Sequence, residues 1–247
     1  MLARFIVRHE REIKASRKVY RERFDPLEQL SDSELNERYR IYREGISKLS
    51  DLLADYLNSP IHGAHALHPQ IQVSLALRFF ASGTFLNLAG DDVRVHKSTA
   101  SRTVHRVARA ICHKMGHCIR FPTGENELRK VKRGFHEIGG IPNVIGAVDC
   151  THVRIVAPSV DVPAYINRKG YHSLNVQPIV DHNMQFTNCV ARWPGGTHDS
   201  RIFQQSTVFR ELSCGNISRY LLGDSGYPLR TYLLTPFLPP RSAPERR

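Results

Sequence analysis

Three aspartates in the second half of the chain end or follow runs that look like buried structure. Asp149 closes the apolar run 144–148 (VIGAV), Asp224 closes YLLG, and Asp199 follows a Pro-Gly-Gly breaker in GGTHDS. Short apolar runs rich in β-branched residues predict buried strands. A carboxylate at the end of such a strand is costly unless it is paired or binds a cation. Each acid also has a plainer role. Asp149 with Thr151 could cap a hairpin before the β-rich run 152–157, and Asp199 and Ser200 sit where helix N-terminal residues belong. Asp181, ahead of His182-Asn183, is a weaker candidate and suits a turn.

Grouped carboxylates repel, so they raise one another's pKa or recruit a divalent cation. All-oxygen donors suit Mg²⁺ or Mn²⁺. Cys112, His113, His117 and Cys118 form a second cluster of ligand-type residues. Its spacing does not suit a closed zinc site, and a helix end with Cys112 partly buried is the preferred reading.

The elements that would position the acids follow in order. Residues 173–181 and 185–193 predict an antiparallel strand pair around a turn at His182-Asn183. Residues 197–206 open with THDS into a helix, and 219–223 predict a strand leading to Asp224. A strand with Asp149, two further strands, a helix and a strand with Asp224 is the order of a ribonuclease H-like core. There the first and last of these strands lie side by side and their acids meet.

Upstream the chain predicts helices. Ser31 and Glu34 have capping-box spacing. Leu35, Tyr39, Tyr42, Ile46, Leu49, Leu53 and Tyr56 then recur at helical spacing, predicting one helix with one buried face that ends at Asn58-Ser59-Pro60. Three helices follow. One spans 71–81 with Val73, Leu77 and Phe80 inward. A short one spans 85–91. The third has Ser98 as N-cap and Ala100, Val104, Val107, Ile111 and Met115 inward. A helix at 126–138 should bury Leu128, Val131, Phe135 and Ile138. The stretch up to about Arg23 predicts a solvated helix or loose arm.

Within 70–115 the pattern of helix, turn, short helix and basic helix is that of a helix-turn-helix. If it binds DNA, Lys97, Ser98, Ser101, Arg102 and Arg106 are the candidate contacts, with the helix N-terminus at base edges; otherwise it is a bundle with a solvated basic face. The whole chain has 35 Lys+Arg against 23 Asp+Glu and a formal charge of +12. That balance favours a polyanionic partner. Five scattered cysteines argue against a disulfide framework and for a reducing compartment. No apolar run is long enough to span a bilayer, and the charged N-terminus is unlike a signal peptide.

Four motifs occur together in order: NVIGAVDCTHVRIVAP, NRKGYHSLNVQPIVD, WPGGTHDSRIF and YLLGDSGYPL. Together they resemble the PIF/Harbinger transposase family, its vertebrate transposase-derived nuclease branch most of all. The helical half, with ALRFFASGTF and HKSTASRTVHRVARAI, is similar to that family's N-terminal region. The resemblance implies an α/β chain. A helical, helix-turn-helix-like region (1–120) precedes a ribonuclease H-like mixed-sheet DDE nuclease domain (121–247). It implies a hydrolase that cuts DNA phosphodiester bonds with Mg²⁺ or Mn²⁺ held by Asp149, Asp199 and Asp224, and that no longer works as a transposase. The alternative is a non-catalytic DNA- or protein-binding protein that keeps the fold. The resemblance also implies DNA and a Myb/SANT-like nuclear protein as partners, no membrane, and residence in nucleus and cytoplasm. The family carries a further Glu on a helix beyond the Pro-rich stretch. This chain stops at Arg247, and Glu245 lies in a Pro/Arg tail without helical pattern. The expectation is a C-terminally truncated domain with weakened metal binding and cleavage and with apolar surface exposed.

Overall fold

The computed structural model describes residues 23–58, 66–214 and 219–236. The N-terminal arm and Glu245 lie outside the described residues. The chain divides into two compact units, Met1–Gly116 and His117–Arg247.

The first unit is helical: α1 (Pro26–Gln29), α2 (Asp32–Tyr39), α3 (Arg43–Leu57), α4 (Pro69–Ser82), α5 (Leu86–Asp92) and α6 (Lys97–Met115). The capping box forms as the spacing predicts. Ser31 N–H donates to Glu34 Oε2 at 2.9 Å, and Glu34 N–H returns to Ser31 Oγ at 3.4 Å. The single helix expected from Ser31 to Tyr56 is two. Arg40 adopts a left-handed conformation (φ 59°) and its N–H closes on Asn36 O, which ends α2. Arg43, first in α3, pairs with Asp32 at 2.8 Å and donates to the carbonyls of Leu27 and Leu30, fixing the bend. Spacing alone cannot reveal such a break, because the apolar period resumes almost in phase. The break and the limited size of the core leave Tyr42, Tyr56 and Phe80 60%, 42% and 50% exposed, against the expectation that they face inward.

Helix α4 is the hub, packing against α2, α3, α5 and α6. Its Val73, Leu75 and Ala76 are fully buried, with Leu53 and Leu57 of α3 and Val107 of α6. Helix α6 buries Ala100, Val104 and Val107 as its spacing predicts. Its N-cap is His96, not Ser98: His96 Nδ1 accepts the Ser98 N–H, and the Ser98 hydroxyl lies 2.9 Å from the same nitrogen. An imidazole acceptor thus does the work that a hydroxyl usually does. Cys112 is exposed rather than partly buried.

The second unit is a mixed sheet flanked by helices. Its elements are α7 (Glu125–Gly139), β1 (Val144–Val148), β2 (Thr151–Arg154), a 3₁₀ turn (Val162–Tyr165), β3 (Ser173–Val180), β4 (Phe186–Pro194), α8 (Asp199–Gln204), α9 (Thr207–Ser213), β5 (Tyr220–Gly223) and β6 (Leu233–Leu234). The sheet order is β2-β3-β1-β5-β6, with β4 also on β3. Strand β1 is antiparallel to β3 and parallel to β5, the adjacency expected of a ribonuclease H-like core. Helix α7 packs on β1 and buries Leu128 and Val131, whereas Ile138 in its last turn is 71% exposed, not inward. The helix expected to end near Ser206 is followed by a second one. The Ser206 hydroxyl accepts the Phe209 N–H at 3.0 Å and starts α9.

Strands β1 and β2 are one line of chain. Val148 opposes Ile179 and Thr151 opposes Val176, a single unbroken register along β3 interrupted only at Asp149-Cys150. The chain does not turn back at Asp149, so the hairpin-cap reading of that residue fails. The unit's core gathers Ile145, Val148, Ile179, Phe203, Val208 and Leu221. Gly146 lets this layer close. A Cβ there would lie 2.7 Å from Ile179 Cγ2 and 2.9 Å from Leu221 Cδ2.

Candidate active site

The site begins with the register of two parallel strands. Val148 of β1 pairs with Gly223 of β5. Asp149 and Asp224 are the next residues on those strands and emerge at the same end of the sheet. Both are exposed. Asp199 opens α8, which packs on β3. Its carboxylate is not the cap of that helix. His198 is, its Nδ1 accepting the Ser200 N–H, so the Asp199 carboxylate is free for other partners. The same His-x-Ser cap starts α6 at His96.

What holds Asp199 is a row of buried polar side chains on β3. Strand β3 alternates buried and half-buried, and its buried face is Ser173, Asn175, Gln177 and Ile179. Asn175, 1% exposed, donates from Nδ2 to Asp199 Oδ1 at 2.8 Å and to Thr197 O at 2.9 Å. Gln177 Nε2 faces the main-chain carbonyl of Asp199 at 3.2 Å and the Tyr227 hydroxyl at 2.9 Å. Tyr227 Oη lies 3.3 Å from Cys150 Sγ. A buried amide left without partners costs about 1–3 kcal/mol, so Asn and Gln at these positions are explained by what they hold. Burial pushes the Cys150 thiol up to about 12, and the nearby Asp199 adds to the effect. Burial likewise holds the Tyr227 phenol above its ordinary value, reinforced by Cys150 and Asp199. Both groups are therefore neutral near pH 7 and act as hydrogen-bonding supports.

The GDSGY turn brings the remaining pieces together. Asp224 Oδ1 accepts the Gly226 N–H at 2.9 Å, folding the chain so that Tyr227 drops into the core. Gly226 lies close to two carboxylates. A Cβ on it would sit 3.0 Å from Asp224 Oδ1 and 3.5 Å from Asp199 Oδ2. The structure thus brings an oxygen of Asp199 and an oxygen of Asp224 close to one glycine. Asp149 is level with Asp224 just past the last strand pair, its Oδ1 accepting the Cys150 N–H at 2.7 Å. Among the described residues, no three His, Cys, Asp or Glu side chains converge on one point. The donors fit a hard divalent ion even so. Asp199 and Asp224 each place a carboxylate oxygen near Gly226 and Asp149 emerges at the same end of the sheet, hard oxygen donors of the kind Mg²⁺ or Mn²⁺ takes.

Asp181 stands apart as a turn residue, its Oδ1 accepting the N–H groups of Asn183 and Gln185 at 2.8 and 2.9 Å. Asn175, Gln177 and Tyr227 were not singled out by the sequence. The available signal was Asn175 and Gln177 at alternate positions of a predicted strand. In the helical unit, Lys97, Ser98, Arg102 and Arg106 are exposed and Ser101 is half-buried, all on α6.

Residues 148–246 match the family described as DDE superfamily endonuclease. The match falls in the second unit and agrees with the sheet order and the acidic motifs. Over 222 residues, 90% of its length, it is 36% identical to the human protein named "Putative nuclease HARBI1", a Harbinger-derived protein, of which it covers 64%. The frog (Xenopus laevis) HARBI1 is 32% identical over the same share of each chain. The Arabidopsis thaliana "Protein ALP1-like" is 27% identical over 220 residues, with 81% of this chain and 53% of that protein covered. The chain thus spans less than two-thirds of the length of these relatives. No solved structure matches it.

Proposed function

We propose that this protein is a metal-dependent nuclease of transposase descent that hydrolyses DNA phosphodiester bonds. Asp149, Asp199 and Asp224 are its catalytic carboxylates and the ligands for Mg²⁺ or Mn²⁺. The observation that carries this reading is the Val148–Gly223 register, with an oxygen of Asp199 and one of Asp224 both close to Gly226. Divalent cations held by these carboxylates would supply activation of water and stabilisation of the leaving oxygen in phosphodiester cleavage. The chain's own part is to hold oxygens in place. Asn175 holds one Asp199 oxygen so that the other faces Gly226, and the Asx turn at Gly226 holds Asp224. DNA is the partner, contacted by Lys97, Ser98, Ser101, Arg102 and Arg106 of α6. Residence in nucleus and cytoplasm and a Myb/SANT-like nuclear partner follow from the family resemblance. No helix of the described residues is long and apolar enough to cross a membrane.

A second reading, a DNA- or protein-binding protein without the chemistry, is favoured by one observation: the Asp149 carboxylate is engaged with the Cys150 N–H instead of facing the other two acids. Nicking of supercoiled DNA in Mg²⁺ or Mn²⁺ separates the two. The nuclease reading expects nicking that Asp149→Asn abolishes. Nicking unchanged in that variant would overturn the assignment of these acids, and no nicking by the unaltered protein alongside DNA binding that survives Asp224→Asn would decide for the binding role.

A further inference from the structure

Helix α6 carries five Lys and Arg residues and no Asp or Glu along its 19 residues. Its outer side and Tyr56 of α3 line an open groove of about 750 Å³, with Arg102, His105, Arg106, Arg109 and His113 along it and no carboxylate in its lining. Lys114 at the far end is partly engaged, 3.7 Å from Asp55 and 5.4 Å from the centre of the Tyr56 ring. Arg102, Arg106 and Arg109 have no carboxylate partner among the described residues, although all three are exposed. Unpaired like charges packed on one helix face repel one another, and an anion relieves that repulsion.

From this groove we infer that α6 lies along the phosphate backbone of a nucleic-acid duplex. In this arrangement Arg102, Arg106 and Arg109 each contact a phosphate, and base edges are left to the first turn of the helix. The inference rests on the DNA-binding reading above and deepens it by adding Arg109, with His105 and His113 flanking it. The spacing suits the ligand. Arg102 and Arg109 are seven residues apart, about 10 Å along a helix at 1.5 Å per residue. That spans about three steps of 3.4 Å of axis along one strand, so the three arginines can meet separate phosphates. The first turn is less free than its sequence suggests, since the Ser98 hydroxyl is tied to His96.

The test is fluorescence-anisotropy binding of the full chain to three duplexes of unrelated sequence across a salt titration. Arg109→Gln should weaken binding to all three equally and lower the slope of log affinity against log salt by about 0.9. Arg106→Gln with Arg109→Gln should lower it by about twice that. Both arginines are exposed and the thermal melt should not move. An unchanged slope in Arg109→Gln, beside a lowered one in Lys97→Gln, overturns the inference and leaves the DNA-binding reading intact. Loss on one duplex but not the others also overturns it, because it would mean base reading. If the unaltered protein binds no duplex but binds a poly-glutamate peptide, the DNA-binding reading itself fails and the groove belongs to an acidic protein partner.

Discussion

Replacing Asn175 by aspartate keeps the shape of the side chain and reverses its role. Asn175 is buried, and its Nδ2 lies 2.8 Å from Asp199 Oδ1, so the substitution sets two carboxylate oxygens at that spacing. The lost donor to a charged acceptor costs about 1.5–3 kcal/mol. Repulsion between two ionised groups near 4 Å adds as much as about 4 kcal/mol at an effective dielectric constant near 20. A proton shared between the oxygens removes most of both costs, so the pair titrates late in the folded state. The folded pKa is raised above the unfolded value of about 3.9. The folded state then binds more protons than the unfolded one, and stability falls as pH rises through that window. Urea unfolding of the variant and the unaltered protein, in chelator at about pH 7.5 and about pH 5, reads this directly. The expected loss is about 3–5 kcal/mol at the higher pH and about 1–2 kcal/mol at the lower. A loss equal at both pH values, or none at either, would refute the idea that Asn175 is present to donate to Asp199.

Two further outcomes follow from packing elsewhere. Gly146→Ala drives a methyl between Ile179 and Leu221 at 2.7 and 2.9 Å. It should destabilise the second unit by about 1–3 kcal/mol, read as a lower denaturation midpoint at unchanged slope. Tyr39 is buried in the helical unit, and its phenol is pushed up to about 12 chiefly by burial, with Asp92 adding to the shift. Because the neutral phenol is the folded form, stability is flat below the unfolded pKa of about 10 and falls above it. Tyr39→Phe should therefore flatten the loss of stability on going from about pH 9 to about pH 11. Parallel curves for the two proteins would show that Tyr39 does not titrate late.

Local chemistry made much of the molecule legible in advance. The capping box at Ser31 closes within four residues and the apolar run 144–148 buries its own side chains, so local sequence is enough to place them; along 173–180 local sequence places the strand, but the face it buries is mostly polar. The order of strands and acids was enough for the adjacency of β1 and β5. Reading failed where a partner distant in sequence sets the outcome. Arg43 binds carbonyls 13 and 16 residues away and breaks a helix whose period runs on. Phe80 and Ile138 have the right spacing for burial, but no layer reaches them.

The same division runs through the candidate site. The sequence by itself determined which residues could carry charge there, because a carboxylate ending a buried strand is costly without a partner and draws notice. Only the tertiary structure decided how those carboxylates are held. His198 takes over the cap and releases Asp199, Asn175 on a neighbouring strand fixes one of its oxygens, and Gly226 lets the chain pass close to the carboxylates of Asp199 and Asp224. These are contacts between groups 22 to 27 residues apart or across a turn. They form because the sheet brings side chains within about 3 Å, the range in which a hydrogen bond acts; chain order carries no record of that distance.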